Sequence, residues 1–385
     1  MSKSKIAIIG ASELQLPLVL KAKEKGYETH VFAWEEGAIA KAETDYFYPI
    51  SIVEKEEILR ICQKINIDGI VSIASDLAVL TVNYVARHMN LRCNPEITDT
   101  ISTNKFLMRQ AFEKNQVPIP HFCIVDDNFT LDMIKDYSYP LIVKATDRSG
   151  SRGVSKVYNQ QELMEGIDYA KEVSFEKRAL IEEYVDGDEY SCESISYNGE
   201  HYCLAITKKY TTGAPHFIET AHVEPAPLNR QMNKRIEIEV KKALDALDIK
   251  YGASHAEFKI DIHGNIKFIE IGSRMGGDCI GSHLVHISTG YDFVGMVIDI
   301  ACGKEPDFSH SKIADYAVSC FVMDQASLDL LAKAKQEIPD RIIYKKDIEE
   351  LPNTEITDSS TRYGMFVLAL DDIQDVNAYL PEKYI

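Results

Sequence analysis

The first part of the chain alternates short apolar runs with segments of helical periodicity. The predicted elements are strands at 6–9, 29–33 and 69–72 and helices at 14–25 and 54–65. Strands that alternate with helices usually pair in parallel, so this pattern predicts a doubly wound α/β sheet.

The rest of the chain has a different pattern. Asn94-Pro95 marks a boundary, and a helix is predicted with Asn104-Lys105 near its start. Residues 121–195 are strand-rich, and residues 196–300 mix strands with one helix near 230–247. The tail, 311–385, has short strands and one helix around 325–336, and it carries no recognisable motif.

A hairpin with two glutamates is the most informative segment. Residues 256–271 hold two β-rich runs around a His-Gly-Asn turn. A two-residue loop at His263-Gly264 would place Glu257 directly opposite Glu270. Like charges in that position are destabilising unless a cation lies between them, and carboxylate oxygens suit Mg²⁺ or Mn²⁺. The alternative is a solvated strand face that Lys259 neutralises.

Glycine-rich segments follow two of the predicted strands. Lys144 ends an apolar strand, and residues 147–154 then hold Gly, Ser and two Arg, a composition that can fold over phosphates. Residues 272–278 hold three glycines and Arg274, which can contact a carboxylate or phosphate through two nitrogens. Each segment alone is also compatible with an ordinary surface turn.

A further strand, near 180–183, ends in an acidic turn before the next strand begins at 191. Backbone groups at such a strand end can pair with the edge of a planar base, and a carboxylate a few residues later can accept from ribose hydroxyls. The alternative is a solvated acidic turn.

Taken in order along residues 1 to 310, these motifs resemble the ATP-grasp superfamily. The segments at 215–222, 255–258 and 270–277 are most similar to carboxylate–amine ligases related to L-amino acid ligases. The resemblance implies an α/β ATP-grasp fold with an N-terminal Rossmann-like parallel-sheet domain and a small C-terminal α+β region. The implied domains are 1–95, the ATP-grasp domain at 96–310 with a lid at about 120–190, and the C-terminal region 311–385.

The resemblance also implies roles for individual residues. The ATP phosphates would be held by Lys105 and Lys144, the lid would contain Ser149, Gly150, Ser151, Arg152 and Gly153, the adenine would meet Glu182, Glu183 and Val185, and the ribose would meet Glu189. Mg²⁺ or Mn²⁺ would be held by Glu257 and Glu270. The catalytic residues would be Arg274 and Lys144, and the substrates would also contact Glu219, His222 and His255.

The implied activity is ATP-dependent amide or peptide bond formation from a small carboxylate and an amine. The reaction would pass through an acyl phosphate and release ADP and phosphate, and a homodimer is the family expectation. Many members carry Asn two residues after the second metal Glu. Here Gly272 stands there, which leaves the number of metal ions open. The alternatives are a purine-pathway or bicarbonate-using ligase, or a non-catalytic ATP-binding protein.

Composition and charge limit the classes of binding partner and the location that the sequence favours. Lys and Arg number 42 against 60 Asp and Glu, a net charge of −18, which disfavours a nucleic-acid partner. Asp76 and Asp299 interrupt the longest apolar runs, so no membrane span is expected. Eight scattered cysteines and the lack of a signal-peptide core predict a cytoplasmic location. Gly10 alone does not make a dinucleotide fingerprint, which disfavours a Rossmann oxidoreductase.

Overall fold

The computed structural model describes residues 3–148, 150, 152–214 and 217–381. Its N-terminal sheet is parallel, in the order β3-β2-β1-β4. The strands are β1 (Lys5–Ile9), β2 (Glu28–Phe32), β3 (Tyr46–Tyr48) and β4 (Gly69–Val71). The helices that follow them are α1 (Leu16–Glu24), α2 (Lys55–Ile65) and α3 (Asp76–His88). The predicted strand–helix alternation and parallel sheet are confirmed.

β1 shows why this sheet is buried on both faces. Ile6 and Ile8 pack into one hydrophobic cluster, whereas Ala7 and Ile9 pack into another on the opposite face. All four side chains are fully buried. A continuous apolar run, rather than an alternating one, is what a parallel sheet between two helical layers requires.

Two helices connect this sheet to the rest of the chain: α4 (Glu96–Thr103) and α5 (Lys105–Lys114). Asn104 caps α5, because its side-chain oxygen accepts from the backbone N–H groups of Phe106 and Leu107. The cap fixes where α5 begins, and it places Lys105 at the first helical position, as the sequence predicts.

A four-stranded antiparallel sheet follows, in the order β5-β8-β6-β7. Its strands are β5 (Phe122–Val125), β6 (Leu141–Ala145), β7 (Val154–Val157) and β8 (Ala179–Glu183). A 14-residue helix, α6 (Gln160–Val173), covers one face through Leu163, Ile167 and Ala170. The sequence analysis did not distinguish this helix within its strand-rich segment.

The largest sheet has eight strands, in the order β13-β12-β9-β10-β11-β14-β16-β15, and all neighbours are antiparallel. Its strands are β9 (Asp188–Tyr197), β10 (Glu200–Thr211), β11 (Glu219–Glu224), β12 (Gly252–Ile260), β13 (Ile266–Gly272), β14 (Tyr316–Val322), β15 (Ile342–Lys346) and β16 (Gly364–Leu370). The remaining helices are α7 (Arg230–Ala246), α8 (Val285–Thr289), α9 (Phe293–Ala301), α10 (Gln325–Glu337) and α11 (Ile373–Ala378).

The C-terminal strands β14 to β16 therefore extend the sheet that carries the glutamate hairpin. β14 pairs directly with β11, with Ala221 opposite Cys320 and Glu224 opposite Ala317. This pairing brings the tail beside the strands that line the candidate site. The domain limits given by the sequence stay a prediction. Within the described ranges, none of the helices is long and apolar enough to cross a membrane.

Candidate active site

Residues from distant parts of the chain meet in one cleft of about 380 Å³. That volume is within the range of small-molecule sites. The predicted residues that line the cleft are Lys105, Lys144, Gly150, Glu182, Glu183, Val185, Glu189, Glu219, His222, His255, Glu257, Glu270 and Arg274. The structure thus gathers in one place most of the side chains that the sequence singled out.

Four of the predicted lid residues are not among those that line this cleft: two lie elsewhere, and two lie outside the described residues. Arg152 lines a separate cavity beside α6, together with Asp358 from the C-terminal region. Gly153 lies in the turn before β7, where its carbonyl oxygen accepts from the Ala145 N–H at 3.2 Å. Ser149 and Ser151 lie outside the described residues, so their lid roles stay predictions.

The hairpin places Glu257 directly opposite Glu270, as predicted. The turn is longer than two residues, because the N–H of Asp261 donates to the carbonyl oxygen of Asn265. A register shift between Glu257 and Phe258 compensates for the longer turn. The paired carboxylates therefore face each other across β12 and β13 on the cleft side of the sheet.

Lysines neutralise both glutamates. The Lys209 ammonium lies 2.5 Å from Glu257 Oε1, and the Lys105 ammonium lies 2.9 Å from Glu270 Oε1. Lys105 also donates to the carbonyl oxygen of Arg148 at 2.7 Å, which ties α5 to the glycine-rich segment. The like-charge repulsion expected from the sequence is thus relieved here by two ammonium groups.

A second buried network surrounds Lys144. Its ammonium lies 2.7 Å from Glu182 Oε2, and Arg109 Nε donates to Glu182 Oε1 at 2.6 Å. Arg109 is completely buried, and it also donates to the carbonyl oxygen of Ile269 at 2.8 Å. Burial lowers the pKa of Lys144 to about 8, although Glu182 opposes the shift. Both oxygens of Glu182 are engaged, whereas the sequence assigned this residue to the adenine amino group.

Lys209 is the cation around which the centre of the cleft is organised. Besides Glu257, its ammonium lies 3.3 Å from Glu189 and 3.6 Å from Glu219. Burial alone would lower the pKa of Lys209, but these three carboxylates raise it well above its ordinary value. Lys209 therefore links the predicted ribose, metal and substrate residues.

His255 lies between two carboxylates. Its Nδ1 contacts Glu193, and its Nε2 lies 3.1 Å from Glu257 Oε1. Glu193 is fully buried, and it also accepts from the backbone N–H of Gly276 at 2.9 Å. Burial acts to lower the pKa of His255, but Glu193 and Glu257 outweigh it and raise the pKa to about 9. The imidazole therefore contributes a further positive charge beside Glu257.

Arg274 meets a residue from the N-terminal sheet region. Its Nε and Nη2 donate to the two oxygens of Asp76 at 2.8 and 3.1 Å, a bidentate geometry. Burial acts to raise the pKa of Asp76, but Arg274 holds it below its ordinary value. A Cβ at Gly272 would meet Asp76 Oδ1 at 2.8 Å and Arg274 Nε at 3.1 Å. The Asp76–Arg274 pair thus occupies the space that an Asn in place of Gly272 would need.

Residues 183 to 189 form the strand end where the sequence predicted base and ribose contacts. The N–H of Glu183 donates to the carbonyl oxygen of His121 at 3.0 Å, and the N–H of Tyr184 donates to that of Pro140 at 3.3 Å. The Glu183 N–H is thus already used, whereas its carbonyl oxygen and the Val185 backbone stay candidates for a base. The Lys156 ammonium packs 3.4 Å from the centre of the Tyr184 ring.

Sequence reasoning missed four residues that line the site or contact its lining: Asp76, Arg109, Lys209 and Arg362. Arg362 Nη2 donates to Asp278 Oδ1, at the edge of the cleft, at 2.6 Å. Two of the four had a local signal. Arg109 lies four residues after Lys105 on α5, a spacing that places both on one helix face. Asn198-Gly199 between two β-rich runs is a hairpin signature that alone would place Lys209 opposite Asp188; a register shift between Cys203 and Ala205 places it opposite Glu189 instead.

Comparisons with known proteins identify a similar domain and a similar fold. Residues 137–282 match the model of the ATP-grasp domain. An L-amino acid ligase from Bacillus licheniformis has a similar structure, with a TM-score of 0.81 at 22% identity; the match covers 98% of this chain and 96% of that one. The chain therefore carries an ATP-grasp domain and has the ATP-grasp fold, as its sequence predicts.

Two relatives represent different chemistries. The alanine–anticapsin ligase of Bacillus amyloliquefaciens is 24% identical over 312 residues, which cover 75% of this chain and 65% of that protein. The phosphoribosylamine–glycine ligase of Lactococcus lactis is 20% identical over 98% of this chain and 95% of its own length. The matches to the alanine–anticapsin ligases of Bacillus amyloliquefaciens and Bacillus subtilis cover 65% and 62% of the length of those proteins, so the chain spans less than two thirds of them.

Proposed function

We propose that this protein is an ATP-dependent carboxylate–amine ligase that forms an amide or peptide bond and releases ADP and phosphate. The observation that carries the proposal is the cleft itself. It brings two buried lysines, Lys105 and Lys144, together with the opposed pair Glu257 and Glu270. The match to the ATP-grasp domain and the similarity to alanine–anticapsin ligase support the same function.

Lys105 and Lys144 are the proposed contacts for the ATP phosphates. Both side chains are less than a tenth exposed. Charges in such a desolvated place act more strongly on a phosphate than they would in water. Glu183 and Val185 would meet the base, Glu189 would meet the ribose, and the segment around Gly150 and Arg152 would form the lid.

The residues present fit a nucleotide-bound divalent cation. Mg²⁺ is commonly held by one or two carboxylates together with phosphate oxygens and water, which matches Glu257 and Glu270. No group of three or more potential ligands occurs among the residues that the structure describes, so the nucleotide would complete the set. Bound there, Mg²⁺ or Mn²⁺ would neutralise charge on the transferring phosphoryl group.

The proposed reaction has two steps. An oxygen of the substrate carboxylate bonds to the γ-phosphorus as the bond to ADP breaks, which gives an acyl phosphate. The amine nitrogen then bonds to the acyl carbon, the carbon–oxygen bond to phosphate breaks, and a proton leaves the nitrogen. Arg274 is the proposed contact for the substrate carboxylate and for the oxyanion of the second step, with Asp76 fixing the guanidinium.

A purine-pathway ligase is the second candidate, because the phosphoribosylamine–glycine ligase match spans almost the full length of both chains. The substrate end of the cleft favours the first candidate. Glu219 and Asp278 both line it, and two carboxylates are unfavourable neighbours for the phosphate of a ribonucleotide.

An ADP-release screen tests the proposal. The purified protein would be given ATP, Mg²⁺ and pairs of amino acids or other carboxylates, and the products would be identified by mass spectrometry. We expect ADP release to require both a carboxylate and an amine, and the product mass to equal their condensation. ADP release only with bicarbonate or a ribonucleotide amine would contradict it, as would ATP binding with no turnover. A homodimer and a cytoplasmic location stay predictions.

A further inference from the structure

One corner of the cleft is built jointly by the ATP-grasp strands and the C-terminal tail. Three side chains line it: Glu219, His222 and Asp278. Two residues of the tail hold them: Ser359 and Arg362. We call these five residues the amine subsite.

Arg362 fixes both carboxylates of the amine subsite. Its Nη2 donates to Asp278 Oδ1 at 2.6 Å, and its Nη1 lies 3.8 Å from Glu219 Oε2. Ser359 also donates to Glu219 through its hydroxyl. The guanidinium packs 3.6 Å from the centre of the Phe321 ring, which further limits its movement. Two carboxylates thus share Arg362, and Glu219 also shares the Lys209 ammonium with Glu189 and Glu257. Four carboxylates therefore face these two cations, which leaves an excess of negative charge.

His222 is the second, independent indication of a ligand. The imidazole is completely buried and lines the cleft, yet neither ring nitrogen has a hydrogen-bond partner among the residues that the structure describes. Its Nε2 lies 3.7 Å from Asp278 Oδ2, too far for a hydrogen bond between them. One ammonium nitrogen at about 2.9 Å from each atom could donate to both. Burial lowers the pKa of His222, so the ring is neutral near pH 7 and can accept.

We propose that the amine subsite binds the amine substrate as a primary ammonium group, held by Glu219 and Asp278, and that His222 takes its proton. This inference rests on the proposed ligase function and deepens it. It makes Ser359 and Arg362 positioning residues, and it gives the C-terminal region a part in recognising substrate.

The proton and electron balance of the step is simple. The ammonium loses one proton to His222 Nε2, which frees the nitrogen lone pair. The neutral nitrogen bonds to the acyl carbon while the bond from that carbon to phosphate breaks. The second proton leaves with the phosphate, and the amide remains.

The amine subsite also adjoins the proposed phosphoryl end of the cleft. The Lys209 ammonium lies 3.6 Å from Glu219 Oε1 and 2.5 Å from Glu257 Oε1. One side chain thus spans from the amine subsite to the opposed glutamates. An amine bound at Glu219 is therefore close to the place where an acyl phosphate would form.

The test separates the two half-reactions. Hydroxylamine is uncharged near neutral pH, and it traps an acyl phosphate as a hydroxamate without needing an ammonium site. With ATP, Mg²⁺ and the proteinogenic L-amino acids as carboxylates, hydroxamate formation is measured in the wild type, Asp278→Asn and Arg362→Lys. Amide formation is measured with the same amino acids and with glycinamide as amines. We expect Asp278→Asn to raise the KM for the amine at least about tenfold, with hydroxamate formation within about twofold of wild type.

Arg341→Lys is the matched control. Arg341 pairs with Asp371 at 2.8 Å, in the same C-terminal region but with both side chains about half exposed. It should leave both assays unchanged, and melting temperatures would exclude misfolding. The amine subsite would be overturned if Asp278→Asn lost hydroxamate and amide formation in parallel, or if it left the KM for the amine unchanged. It would also be overturned if the wild type formed hydroxamate but no amide with any primary amine. No hydroxamate from the wild type with any carboxylate would refute the ligase function itself, and the subsite with it.

Discussion

Arg109 and Glu182 form a buried ion pair, with Arg109 Nε 2.6 Å from Glu182 Oε1, and the same carboxylate holds the Lys144 ammonium at 2.7 Å. The three groups connect α5, β8 and β6. Burial acts to raise the pKa of Glu182, but the two cations hold it below its ordinary value. The contact of Glu182 with adenine stays a prediction, whereas its ion pair with Lys144 is present in the structure.

Arg109→Met should therefore destabilise the fold. The substitution leaves the buried Glu182 carboxylate with one cation instead of two, and losing one partner of a buried pair costs about 3–5 kcal/mol. Urea unfolding followed by circular dichroism measures the change. Arg60→Met is the control, because Arg60 pairs with Glu57 on the surface. A loss no larger than that of the control would show that Arg109 does not stabilise the network.

Gly272→Ala should disturb the Asp76–Arg274 pair. A Cβ at this position would meet Asp76 Oδ1 at 2.8 Å, closer than real Cβ contacts, and Asp76 cannot withdraw without breaking its bidentate contact with Arg274. We expect kcat/KM for substrate-dependent ADP release to fall about tenfold, or about 1.4 kcal/mol of barrier. The matched control is Gly277→Ala in the same loop, whose Cβ would meet, among the described residues, Ala74 at 3.9 Å. Equal activities of the two variants would contradict this account.

Glu270→Ala should abolish ADP release while the protein stays folded. Glu270 is about a quarter exposed and accepts from Lys105, so its loss removes a proposed metal ligand without opening a sealed core. Steady-state ADP production with the true substrates is the readout. Glu237→Ala, on the surface of α7, controls for a general effect of losing one carboxylate. Wild-type turnover in Glu270→Ala would remove the hairpin from the metal site.

The sequence predicted most of the elements and the pairing of Glu257 with Glu270, because hydrophobic periodicity and turn residues are local signals. The pairing was right although the assumed turn was too short. A longer turn shifts the outer pairs by one residue, and the bulge after Glu257 shifts them back. A local pattern shows that a hairpin forms, but it does not reveal two irregularities that cancel.

Long-range contacts explain most of what the sequence could not predict. Arg274 is recognisable in its glycine-rich loop, but its partner Asp76 lies 198 residues away. Arg362 lies 84 residues after Asp278, in a tail without a motif. By contrast, α6 was a missed local signal. Leu163, Ile167 and Ala170 have helical spacing and follow an N-cap at Asn159.

Glu224 should make the stability of the protein fall as the pH rises. Burial raises the pKa of Glu224 to about 7, although hydroxyls of Thr207 and Ser288 contact its oxygens. Between the unfolded pKa, about 4.5, and the folded pKa, the native state binds the extra proton, so the free energy of unfolding falls with pH, by up to about 3 kcal/mol. Glu224→Gln cannot ionise and should lose this component. Urea unfolding of both proteins from about pH 5 to 8 gives the difference between them, which cancels contributions from other titrating groups. A pH-independent difference would show that Glu224 titrates normally.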